Sequence, residues 1–234
     1  MRLRRLAAFA IGSSVAGFVA LEIAAMRLYP GGTWWNAAAA GHSFWQNYLC
    51  DLTQSIAIDG VANPLGSVLA KAAMLVLVGG LLPLWAAVPL LFARSGFARP
   101  VRALGFVSMA GVVWVVLLPS RCGPWHGAVV TLAGLPGLSA AILAVAGLLG
   151  ARQSHARFAA RIGMAMLSFA LIDFTAYVGH LVAGGLGTPW LPALQKIALV
   201  FLVAWMLSVA AALQITACRT GVEDRGALTQ ARPR

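Results

Sequence analysis

Charge is what this sequence has least of. Only 10% of its 234 residues are charged, against 61% hydrophobic, and the mean hydropathy is +0.86. A water-soluble domain of this length needs a far more polar surface, so that class is excluded. Cysteine is scarce as well. Cys50, Cys122 and Cys218 are too few for a disulfide scaffold and match no zinc-finger spacing. No polar stretch is long enough for a second domain. There is no internal repeat of the kind many transporters carry. No phosphate-loop pattern follows Gly79-Gly80 or Gly184-Gly185. Neither a Ser-His-Asp arrangement nor a His-x-x-x-His or Glu-x-x-His pair is readable.

What the chain does have is long apolar runs. Six recur, at roughly 6–26, 65–92, 101–118, 125–150, 158–183 and 190–217, and each reaches the ~18–20 residues needed to cross a hydrocarbon core. The expected fold is all-α, a polytopic bundle of about six transmembrane helices over residues 1–218, with a polar, unstructured cytoplasmic tail at 219–234. Prolines punctuate the runs. Asn63-Pro64, Gly123-Pro124 and Thr188-Pro189 each place a capping residue before a proline at the first helical position, and Pro100 opens the third run. Pro83 and Pro89 predict a kink late in the second run.

The net charge of +11 resembles a nucleic-acid signal, but its distribution argues otherwise. Arg2, Arg4 and Arg5 precede the first run. Arg94, Arg99 and Arg102 lie between the second and third, and Arg152, Arg157 and Arg161 between the fourth and fifth. Arg219, Arg225, Arg232 and Arg234 follow the sixth. The other connections hold only Arg27 and Arg121. Every second connection is basic, which places both termini in the cytoplasm and the protein in the inner (plasma) membrane. Trp34, Trp35, Trp45, Trp125 and Trp190 mark the outer interface. An Arg-rich start before an apolar run also describes a signal peptide. Glu22 interrupts this run, however, and no clear small-residue cleavage site follows.

The first outer connection, about 27–64, is the longest loop. Within it Phe44, Trp45, Tyr48, Leu49, Leu52 and Ile56 recur at helical spacing, and Ser43 with Gln46 fits a capping box. An amphipathic helix is therefore expected over 43–58, with Ser43, Asn47 and Asp51 on its polar face. The same loop carries Tyr29-Pro30-Gly31-Gly32, Gly41-His42-Ser43-Phe44, Asn47-Tyr48-Leu49-Cys50-Asp51-Leu52 and Asn63-Pro64. With Leu118-Pro119 and then His126, this series resembles the bacterial membrane family called domain of unknown function 998. His42 and Cys50 depart from it, where an aromatic and a serine are usual. The resemblance implies a multi-helix membrane protein and leaves the activity open. A more distant likeness, at the level of fold alone, is to the membrane hydrolases that include alkaline ceramidases, which use histidines, an aspartate and a serine around zinc.

Ionisable groups inside the runs are few: Glu22, Lys71, Asp173, His180 and Lys196, with His126 at the start of the fourth. All fall in the outer half or near its edge, and such groups usually face the bundle interior. Asp173, Tyr177 and His180 share one helix face. The expected site is an outward-facing polar cavity lined by Asp51, Lys71, Asp173, Tyr177, His180 and Lys196.

Two imidazoles and a carboxylate, His126, His180 and Asp173, would hold zinc and leave a position for water. Asp51 and His42 would then serve as acid/base partners. Against that stands a purely structural reading, in which Asp173 pairs with Lys196 or Lys71 and Glu22 with Arg27 or Lys71. Lys71 otherwise snorkels outward. Arg121 either binds an anionic headgroup or ends a helix, and His155 is expected in a solvated loop. Serines such as Ser14, Ser108 and Ser168, with the glycines, are expected to let helices pack closely. Cys50 and Cys122, both outer, are a candidate disulfide.

The leading functional reading is a non-catalytic membrane protein that binds a lipid-like or small ligand, or a partner protein. A metal-dependent lipid hydrolase comes second and a transporter third. Membrane lipids are the expected partners, and nucleic acid is not.

Overall fold

The computed structural model describes residues 1–118, 122–183 and 189–230, with backbone alone for Ser95 and 220–230. Calls on Pro119, Arg121, Gly184, Gly185, Thr188, Arg232 and Arg234 lie outside the described residues. The long helices are α1 (Arg2–Leu28), α3 (Pro64–Ala87), α4 (Ala98–Leu117), α5 (Pro124–Leu149), α6 (Ser154–Ala183) and α7 (Leu191–Gln230). All six contain a stretch long and apolar enough to cross a membrane. The chain is an all-α polytopic membrane protein. In α7 the apolar span ends at Arg219, and the helix continues through residues assigned from sequence to an unstructured tail.

The helices follow one another around a ring in chain order, and α1 closes it by packing on both α3 and α7. Pro64 and Pro124 open their helices as the sequence implies. Pro83 lies within α3, which ends at Ala87. The chain then passes into a short 3-10 turn, Val88–Leu91, that contains Pro89. Carbonyls freed there find arginines: Arg102 Nε donates to Ala86 O at 3.2 Å and Arg4 Nη2 to Leu90 O at 3.4 Å. These arginines therefore finish a helix as well as mark one end of the bundle.

The half of the bundle nearer the arginines is packed mainly through apolar and small residues, with a few polar contacts across helix seams. Its core runs from Ile11 through Leu84, Trp85, Leu148 and Ala156 to Trp205 and Leu213, and small residues let the helices approach. A Cβ on Gly163 would lie 2.6 Å from Val145 and 2.8 Å from Trp205. Ser14 Oγ donates to Val76 O, and Ser108 Oγ to Ala133 O at 2.7 Å, satisfying hydroxyls across helix seams. Ser168 instead bonds Met164 O on its own helix and is exposed. His155, expected in a solvated loop, begins α6 and meets Thr216 of α7 at 3.0 Å.

The loop between α1 and α3 corrects the sequence reading. No helix spans 43–58. The segment contains only a four-residue helix, α2 (Leu49–Leu52), after a small antiparallel hairpin of β1 (Gly31–Thr33) and β2 (Asn36–Ala40). The physical reason lies in Asn47 and Asp51, whose side chains bond nearby backbone and so compete with helix. The apolar residues accordingly divide instead of forming one stripe: Leu49 and Leu52 are buried, while Phe44, Trp45 and Ile56 are exposed. The capping box also moves. Asp51 Oδ2 accepts the Tyr48 N–H at 2.8 Å, while Ser43 N–H is taken by Asn47 Oδ1 at 2.9 Å.

Candidate functional site

Asn47 and Asp51, both fully buried, organise the loop from within. Asn47 Nδ2 donates to Gly32 O at 2.8 Å. Gly32 has φ +85° and lies tight against the Ile58–Asp59 backbone, so only glycine fits there. The carboxylate of Asp51 accepts Trp34 Nε1–H at 3.0 Å, Tyr48 N–H at 2.8 Å and, more weakly, Asn47 Nδ2 at 3.4 Å. Asn63 stands at the N-cap of α3, but its side chain makes no capping bond; its Nδ2 donates to Leu52 O at 3.2 Å and Gln54 O at 3.1 Å. Tyr29 Oη accepts the Ile58 N–H at 3.2 Å. The loop motifs are thus the loop's own hydrogen-bonding skeleton.

Two neighbours on α7 fasten this loop to the bundle. Gln195 Oε1 accepts the Leu49 N–H at 3.0 Å. Lys196, 1% exposed, donates its ammonium to Asn47 O, with the Phe44 ring 5.6 Å away. Around that ammonium, within electrostatic reach, stand Asp51 and Cys50 of the loop, Glu22 of α1 and Asp173 of α6. Tyr48 lies within similar reach of Asp173 and Tyr177. Four parts of the chain therefore converge under one folded cap.

Of the residues expected in the site, Asp51, Asp173, Tyr177 and Lys196 come together; Lys71 and His180 do not join them. Lys71 on α3 and His180 near the end of α6 are half-buried, with no ion pair or hydrogen bond among the described residues. The structural pairings are not made either. Among the described residues no ion pair forms, and Glu22, 4% exposed on α1, has both carboxylate oxygens without a hydrogen-bond partner. Sequence reasoning counted Glu22 among the outer-half ionisable groups but left it out of the cavity lining, and it missed Gln195. The available signal for Gln195 was a polar residue beside Lys196 at the start of an apolar helix.

The metal trio is not assembled. Among the described residues no three His, Cys, Asp or Glu side chains are grouped to hold a metal. His126 Nδ1 instead meets Leu118 O at 2.7 Å and ties the start of α5 to the end of α4. Cys50 and Cys122 are both free thiols, not a disulfide.

Burial sets the protonation of the loop groups. It lowers the His42 pKa to about 4, helped by the nearby Lys196 cation, so this imidazole is neutral at pH 7. It raises the Asp51 carboxyl above its usual value against the lowering effect of Trp34, Tyr48, Asn47 and Lys196. It also pushes the Cys50 thiol up, with Asp51 adding to the effect. Asp51 is thus committed to hydrogen bonds within the loop, and His42 is a neutral imidazole set edge-on against the Tyr29 ring, centroids 5.9 Å apart.

The loosest wall of this region is α6. Every described residue from Ser168 to Ala183 is half-buried or exposed, on the face of Asp173 and Tyr177 as on the opposite face. A shallow groove lined by Leu171, Ile172, Thr175 and Ala176 lies on that opposite face.

Comparison with protein-family models, curated proteins and solved structures found no match to this chain.

Proposed function

We propose that this membrane protein binds a small amphiphile, with the polar head in the chamber under the loop and the apolar tail along the loosely packed half of α6. The observation that carries this reading is the convergence of Glu22, Lys196, Asp173 and Tyr177 from three helices under a closed cap, with Glu22 buried and unpartnered. Buried polar groups are normally satisfied, and one left open beside others is the mark of a binding site more than of a packing contact. The alternation of arginines puts the loop on the outer face of the plasma membrane. The loop motifs make membership of the domain-of-unknown-function-998 family part of the same proposal.

The test is native mass spectrometry of the full chain released from membranes in a mild detergent. A near-stoichiometric amphiphile on the wild type, lost from Asp173→Asn and Tyr177→Phe, supports the reading. Both residues leave the loop's anchors untouched. A chain that carries no adduct in several detergents overturns it.

A further inference from the structure

The polar cluster under the loop, where the binding reading puts the head, is unbalanced in charge. Lys196 is the one ammonium there, and it faces the carboxyl groups of Asp51, Glu22 and Asp173. Asp51 spends its oxygens on Trp34, Tyr48 and Asn47 and gives the loop-side counter-charge to Lys196. Lys196 in turn is committed to Asn47 O. That leaves two carboxyl groups with no partner of their own. Glu22, on α1, is 4% exposed and neither of its oxygens accepts a hydrogen bond. Asp173, on α6, has no hydrogen bond or ion pair among the described residues and keeps partial exposure. Tyr48 of the loop and Tyr177 of α6 lie within electrostatic reach of Asp173, and His42 within reach of Lys196. His42 Nε2 also lacks a partner. Among the described residues no arginine forms an ion pair with either carboxyl group, and Arg27 is exposed at the end of α1.

Carboxylates in a low-dielectric interior are tolerated when a cation with hydrogen-bond donors meets them. An ammonium offers both, and its N–H donors suit acceptors that now have none. We infer that the amphiphile taken by this chamber carries a basic amine, held between Glu22 and Asp173. This rests on the binding reading above and specifies its ligand class. An anionic head would add charge of the wrong sign. A neutral head would leave Lys196 as the single cation facing three carboxyl groups. The half-exposed wall of α6 is where such a head reaches Asp173 first, and Glu22 lies deeper.

The experiment compares three probes of equal chain length by native mass spectrometry titration of the full chain: a long-chain primary amine, its N-acetyl analogue and the matching alcohol. The amine is expected to bind about tenfold or more tightly than either neutral probe, the scale of one charge-assisted contact. Glu22→Gln and Asp173→Asn should each shrink that preference to about threefold or less. Melting temperature and monodispersity report whether each variant folds, and Asp173→Asn carries the test if Glu22→Gln does not. Equal binding of amine and alcohol that Asp173→Asn and Tyr177→Phe still weaken overturns the amine inference and leaves the chamber reading standing. An amine preference unchanged in both Glu22→Gln and Asp173→Asn also overturns the inference, because it locates the probe in the micelle or on another surface. No saturable binding of any probe overturns the amine inference; if wild-type chain also carries no native adduct, the chamber reading falls with it.

Discussion

The two halves of this bundle solve the same problem in opposite ways. In the half near the arginines, helices meet through alanine, glycine and serine around the Trp85–Trp205 pair, whose ring centroids are 5.8 Å apart. Polar groups there are few, and Ser14 bonds a carbonyl across the α1–α3 seam. In the half near the loop, buried polar residues gather, a folded cap covers them, and Glu22 remains unsatisfied. The first half is built by close approach of backbones. The second is held by hydrogen bonds from loop side chains. Stability and ligand sensitivity should therefore separate along the bundle axis.

The largest expected effect breaks the cap. Asp51→Ala removes the acceptor of Trp34 and Tyr48 in a fully buried setting. A stranded buried donor costs about 1–3 kcal/mol, and the Tyr48 N–H bears more of that than the indole of the exposed Trp34. The melting temperature in detergent should fall by many degrees, and limited proteolysis should cut between β2 and α3 while the arginine half stays intact. Simultaneous loss of both halves would show that the bundle unfolds as one unit and that the contrast drawn here is not energetic.

Next comes a paired glycine test. A methyl on Gly163 meets Val145 and Trp205, whereas one on Gly179 meets nothing within 4 Å. Gly163→Ala should destabilise by about 1–3 kcal/mol through overpacking. Gly179→Ala should be neutral or slightly stabilising, because alanine is the better helix former. Equal effects in thermal unfolding would remove the claim that α6 is loosely packed at the loop end.

A smaller effect follows from His42. Its folded pKa of about 4 lies below the reference value of 6.5, so the unfolded chain takes up a proton first as pH falls. The stability it lends is complete above pH 6.5 and is lost progressively between 6.5 and about 4. Asp51, raised by burial, acts in the opposite direction on acidification. The measurement is thus the melting-temperature difference between wild type and His42→Gln at pH 7.5 and pH 5. That difference should shift against the wild type by only a few degrees, since solvent screens a partly exposed ring. An unchanged difference would mean that His42 titrates normally.

The smallest effect is chemical. Cys50 and Cys122 should both be found as thiols in non-reducing mass spectrometry. Cys50, half-buried in the cap with its thiol pushed up by burial of the sulfur and by Asp51, should label with maleimide more slowly than Cys122 at neutral pH. Rapid labelling of Cys50 in a folded protein would mean that the cap opens.

Much of this molecule was legible in the linear chain because lipid imposes one-dimensional rules. A membrane span must be a long apolar run, so all six helices could be read, and Pro64 and Pro124 marked their starts to the residue. The loop was misread because helical spacing of Phe44, Trp45, Tyr48, Leu49, Leu52 and Ile56 counts only apolar positions. It does not weigh Asn47, whose side chain captures the distant Gly32 carbonyl, or Asp51, which bonds the Tyr48 N–H and the Trp34 indole. Asp51, Asp173, Tyr177 and Lys196 were identified as polar residues at the right depth, yet their partners were not. Glu22 was given Lys71 or Arg27 as a partner, and it has neither.

The sequence by itself determined the class, the helix count and the end of the bundle at which polar groups collect, because burial in hydrocarbon filters residues by type and position. Only the tertiary structure decided which of those groups meet. Rotation of each helix about its axis and the order of the helices around the ring bring Lys196 to Asn47 and Glu22, while leaving His126, His180 and Asp173 without a shared metal position. Those rotations come from packing summed over whole helix faces, which no short motif records.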